Sequence, residues 1–110
     1  MNTKIQGGLA AEQTLGRVLR INETGIYGAK SFTTSAALAA VGGSNLANRT
    51  LLVVTPTNGI VYWGFDSSVT SSSGTPINRG DQAIFSIGPA VSVFLIASAG
   101  TVNVRLAEAV

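Results

Sequence analysis

The chain contains no cysteine and no histidine in its 110 residues. Without cysteine there is no disulfide, no thiolate nucleophile and no zinc–sulfur site. Without histidine the commonest general base and the commonest metal ligand are both missing. The only acids are Glu12, Glu23, Asp66, Asp81 and Glu108, each isolated from the others along the chain. No pair is close enough in sequence to suggest an acid/base dyad, and no Gly-Lys-Ser/Thr phosphate loop is present. The expectation is a protein that is not an enzyme, with no metal and no cofactor. Charge is also sparse: 11% of residues are charged, against about 25% in an average soluble domain. The net charge is +2, and Lys and Arg are scattered without a run. That pattern argues against nucleic acid or a membrane surface as partner. Long apolar runs are missing too. "AVSVFLIASA", the strongest, is far too short to cross a bilayer. "MNTKIQGGLAAEQTLG" has no apolar segment behind its one lysine, so a soluble chain made in the cytoplasm is expected.

What is present is a hydrophobic fraction of 45% in a chain whose length suits one domain with one real core. Its surface must be made of Ser, Thr, Asn and Gly. Weak charge protection against association favours a chain that works in contact with something. From Leu15 onward the apolar pattern repeats every two residues. "LGRVLRIN" alternates weakly, and "GIYGAKSFTT" is rich in aromatic and β-branched residues. "AALAAVGG" reads either as a helical turn or as a strand. "RTLLVVT" is a buried strand stopped by Pro56, and "GIVYWGF" follows so closely that the two are expected to pair as a hairpin. "DSSVTSSSGTP" reads as an exposed loop with Val69 as its sole apolar anchor. "QAIFSIG", "AVSVFLIA" and "TVNVRLAEA" follow, the last two joined by a short hairpin at "SAGT". In the final strand Val102, Val104 and Leu106 share one face, and Asn103 and Arg105 the other. Short strands separated by frequent turn signals predict an all-β fold. The expected architecture is a single antiparallel β-sandwich, jelly-roll-like, over residues 15–110 with an N-terminal arm over 1–14. Val53, Phe85, Phe94, Ile96, Val102 and Val104 are the expected core, each worth about 1.5–3 kcal/mol when buried.

Four features invite a functional reading. The arm carries Lys4, Ile5 and Leu9 as the residues that would lie along a partner, although a frayed terminus accounts for the same composition. Arg17 and Arg20 fall on opposite faces if their segment is a strand, as solvated edge charges or as contacts to an acidic partner. Tyr62 and Trp63 are adjacent, so one points to the core and the other outward. An outward aromatic suits an interface better than a ligand cage. The tripeptide Arg79-Gly80-Asp81 has the sequence of an adhesion motif. It lies where a turn must precede the strand "QAIFSI", with Gly80 available for positive φ and Asp81 for a bond to a nearby amide. It is read as a turn rather than an adhesion site, because three-residue motifs arise easily by chance.

"ANRTLLVVTPTNGIVYWGFDSSVTSSSGTPINRGDQAIF", followed by "FLIASAGTVNVRLAEA", resembles a recurring pattern in small structural proteins of tailed bacteriophages. The elements that carry the resemblance are Asn48-Arg49, Val61 to Phe65, Gly74 to Asp81 and Gly100 to Glu108. They cover roughly the C-terminal half. Length and charge-poor β character are similar to those of capsid decoration, or cement, proteins. The resemblance implies a virion structural protein on the capsid exterior that clamps neighbouring major capsid subunits against internal DNA pressure. Its implied partners are the major capsid protein and itself, as a dimer or trimer. Lys4, Ile5, Leu9, Arg17, Arg20, Arg49 and Tyr62 are the expected interface residues. The alternative is a head-fibre, tail or receptor-binding virion module, in which the Ser-rich loop and the Arg79–Asp81 turn would recognise a host surface. A carbohydrate-binding or hydrolytic β domain would instead need Tyr62 or Trp63 to line a pocket beside a carboxylate.

Overall fold

A computed structural model describes residues 24–110 of the chain. The arm over 1–14, the segment 15–23 and the boundary expected between them lie outside the described residues.

The described residues form eight strands: β1 (Gly25–Phe32), β2 (Ala37–Leu38), β3 (Leu51–Pro56), β4 (Val61–Gly64), β5 (Thr75–Ile77), β6 (Ala83–Phe85), β7 (Phe94–Ala97) and β8 (Val102–Ala109). No helix occurs among the described residues, so "AALAAVGG" resolves to the short strand β2 and a run of bends. One sheet has the order β1-β8-β3-β6 and the other β2-β7-β4-β5, and all the pairings are antiparallel. The pairs β1–β8, β2–β7, β3–β6 and β4–β5 are nested one inside the next. That is one long hairpin rolled up into two layers, which is the jelly-roll order.

The two expected hairpins do not exist. β3 and β4 lie in different sheets, and so do β7 and β8. The "PTNG" and "SAGT" segments therefore cross from one layer to the other. Gly100, with φ of 65°, makes the second crossing. A short turn between two apolar strands looks alike in sequence whether the strands pair or face each other across a core.

Phe32, Leu52, Val54, Val104 and Leu106 of the first sheet meet Val61, Ile77, Leu95 and Ala97 of the second. The core expected from sequence was half right. Val102 and Val104 point inward, and Phe85 packs against the core. Val53, Phe94 and Ile96 are only half-buried and lie one residue out of phase with the inward set, which is Leu52, Val54, Leu95 and Ala97. Strands apolar on both faces give no alternation from which to read phase.

The open sides of the sandwich are closed differently. At one, Trp63 of β4 meets Phe85 of β6 edge to face, with centroids 5.1 Å apart. At the other, the Lys30 ammonium of β1 donates to the carbonyl oxygens of Leu38 (2.9 Å) and Ala40 (3.3 Å).

Candidate interaction surface

The outer face of the β1-β8-β3-β6 sheet is built by residues of one parity. The registers Tyr27↔Ala107↔Val53↔Ile84 set four apolar side chains in a row across all four strands. Beside it run Gly25, Ala109 and Leu51, and on the other side Ala29, Arg105 and Thr55. Tyr27 stands on this face 86% exposed. Its ring forms the wall of a groove of ≈ 460 Å³ floored by Leu51, Val53, Ala107 and Ala109. A second hollow of ≈ 360 Å³ continues along the same face past Tyr27, Val53 and Ala107 to Thr55, Gln82 and Arg105. The face thus offers an aromatic anchor beside an apolar trough, with Arg105 as its charged side chain. That composition suits a protein surface: apolar in the middle and polar at the margin.

The buried charged groups of the described residues, Arg49 and Glu108, are committed to structure. Arg49 and Glu108 form an ion pair of 2.9 Å, and both side chains are fully buried. Arg49 also donates to Asn45 Oδ1 and to the carbonyl oxygens of Gly88 and Val91. Glu108 accepts the amides of Val41 and Leu46. Two loops are thereby tied to the end of β8, and the bonds offset the desolvation of both charges. The Arg49 Nε is buried without a partner among the described residues. Asn48, with φ of 59°, turns the chain just before Arg49. The expectation of Arg49 as an interface residue is therefore corrected. Its side chain is interior, because the loop junction supplies acceptors for both terminal nitrogens of the guanidinium.

Tyr62 is half-buried on the outer face of the second sheet, opposite Ile96 and Pro76. Trp63 packs against the core between Phe65 and Phe85, so the adjacent pair divides between faces as expected. Lys4, Ile5, Leu9, Arg17 and Arg20 lie outside the described residues. The residues that sequence reasoning missed are Tyr27, Val53, Ala107 and Ile84. Tyr27 stood in a segment already read as a strand, but the row exists only through register.

Arg79, Gly80 and Asp81 are exposed and form a turn. Gly80 has φ of 81°, its amide donates to Pro56 O (2.9 Å), and the Asp81 amide donates to Asn78 O (3.0 Å). The carboxylate that caps a turn amide is Asp66, which accepts from Ser68 N at 3.0 Å and from Ser68 Oγ. These bonds lower the Asp66 pKa from its ordinary value of 3.8, the side-chain bond first and the backbone bond second. The Ser-rich loop and the Arg79–Asp81 turn sit at opposite ends of the sandwich. The first leaves β4 beyond Gly64, while the second follows Ile77, which pairs with Val61 at the start of β4. They do not form one recognition surface.

Among the described residues no three His, Cys, Asp or Glu side chains come together in a group fit for a metal ion. Of the three described acids, Glu108 is locked in its ion pair, and Asp66 and Asp81 are exposed on loops. Fold and surface together define an eight-stranded jelly-roll sandwich with an apolar outer sheet face. Comparison of the chain with known family models, curated proteins and solved structures finds no match.

Proposed function

We propose that this chain is a structural binding module of a tailed-bacteriophage virion. In this reading it docks on the capsid exterior, cements neighbouring major capsid subunits and associates with itself. The observation that carries the binding half is the apolar row Tyr27–Ala107–Val53–Ile84, with Tyr27 exposed at its end. Contiguous apolar surface on a charge-poor sheet is a place for a partner. The virion half rests on the sequence resemblance, whose elements are Asn48-Arg49, Val61 to Phe65, Gly74 to Asp81 and Gly100 to Glu108.

The physics of the role is linkage. A module that binds the assembled, expanded shell better than free subunits stabilises the shell by that difference in binding free energy, summed over every copy. A rigid sandwich with a preformed face loses little entropy on docking.

Quantitative mass spectrometry of purified virions tests the location. A copy number comparable to that of the major capsid protein is expected. A handful of copies would move the chain to a fibre or tail, and its absence would overturn the virion reading. Tyr27→Ser should weaken binding to expanded capsids about tenfold or more, the effect of truncating an interface anchor, and leave the melting temperature unchanged.

A further inference from the structure

Among the described residues the two sheets have four outer strands, and three are poor templates for another strand. β2 has two residues, β6 has three, and β5 has three including Pro76, which has no N–H. Such shortness and proline are the usual ways of blunting a sheet edge. β1 differs. It runs eight residues, Gly25–Phe32, without proline. Its phase follows from the bonds around it. The amide of Val110 donates to Thr24 O, so the even-numbered residues of β1 exchange bonds with β8. The ladder on the other edge of β8 has the matching phase, because Thr57 N donates to Asn103 O. The N–H and C=O groups of Gly25, Tyr27, Ala29 and Ser31 therefore point away from the sheet. They have no backbone partner among the described residues.

We propose that β1 pairs antiparallel with β1 of a second copy, joining the two four-stranded sheets into one sheet of eight strands across a two-fold axis. The phase of the outward groups restricts the register. Centring the axis on Gly28 sets Tyr27 opposite the partner's Ala29 and Gly25 opposite the partner's Ser31. The two Gly28 residues then form the close, non-bonded pair, with no side chains to collide. A two-fold contact meets its own copy, so it must be free of like-charge repulsion. β1 meets that condition, since its one charged residue is Lys30. An inward charge on an edge strand usually discourages pairing. Here the ammonium is already held by Leu38 O and Ala40 O of its own chain, and a new strand beside β1 removes neither acceptor. Pairing also extends the apolar row, Ile84–Val53–Ala107–Tyr27 in one copy leading to Ala29 of the next, with the two Tyr27 side chains on the same face and diagonal to each other across the axis. Two identical faces in one rigid plate could bridge two capsid subunits. That purpose rests on the reading above, whereas the geometry and its test do not.

The test is the mass of the full chain in solution, without capsids, by analytical ultracentrifugation from low micromolar concentration upward. A concentration-dependent doubling of mass is expected. Ala29→Pro removes an outward N–H while leaving the β8 ladder intact, and should raise the dissociation constant about tenfold or more, since two bonds are lost by symmetry. Amide exchange read by NMR should show Tyr27, Ala29 and Ser31 protected in the dimer and unprotected on dilution. A monomer at every concentration would overturn the proposal, as would a dimer that folded Ala29→Pro leaves unchanged. Protection of those three amides in a monomer would also overturn it, by giving the edge to the chain's own residues. If Ala29→Pro fails to fold, Ala29→Lys, which places like charges beside the axis, must weaken the dimer for the proposal to stand. A monomer that still binds capsids would remove this inference and leave the virion reading intact.

Discussion

The buried pair Arg49–Glu108 shows how much a single position can hold. Glu108 takes two loop amides and a guanidinium, and Arg49 reaches two carbonyl oxygens of the loop between β6 and β7. Removing one charge leaves the other buried and uncompensated. Glu108→Gln or Arg49→Met should therefore cost about 3–5 kcal/mol in urea unfolding. The double variant should cost less than the sum, because the residues share one network. At the surface, the lowered pKa of Asp66 has a definite sign. A group whose folded pKa lies below its unfolded value contributes stability above that unfolded value. The contribution disappears as pH falls through the folded pKa, hence at pH below the ordinary 3.8. Carboxyl NMR should place the Asp66 midpoint under 3.8, and Ser68→Ala should move it back up. For a fully exposed group this is a local effect on the turn.

At the scale of elements, the Ser-rich loop is less free than its composition suggests. Val69 is buried. A Cβ placed on Gly64 or Gly74 would come within 2.8 Å of its side chain, and one on Gly74 would also meet Tyr62 Cβ at 2.9 Å. The loop thus folds back on β4 through one valine, and glycine at both positions makes the room. Gly74→Ala should destabilise by about 1–3 kcal/mol, the usual effect of overpacking. Adding Val69→Ala should relieve part of that clash, and thermal melts of the single and double variants check it. Strand identity for β3, β4, β7 and β8 was legible in their apolar runs and flanking turns. β5 was missed because three residues after a loop leave no period to detect. The phase of β3 and β7 was also missed, since both faces of those strands carry apolar residues.

Over the whole molecule, the nested pairing brings Gly25 against Ala109 and leaves β8, the last strand, between β1 and β3. No sheet of the first layer can close until β8 is in place. Pairing so distant in sequence makes the loop-closure entropy large before any contact returns it. Refolding in the range of about milliseconds to seconds is expected, measurable by stopped-flow Trp63 fluorescence. Deleting residues 101–110 should abolish the cooperative transition altogether.

The sequence by itself determined the class of the protein. Scarce charge, no cysteine or histidine, period-two segments and regular turns admit an all-β sandwich and little else. It also marked Arg79–Asp81 as a turn, because Gly80 before a strand supplies the positive φ a turn needs. Only the tertiary structure decided which strands pair, that Arg49 points inward to Glu108, and that Tyr27, Ala107, Val53 and Ile84 share one row. Those facts depend on register between strands distant in sequence. Register is set by the global fit of two sheets around one core, which no local pattern encodes.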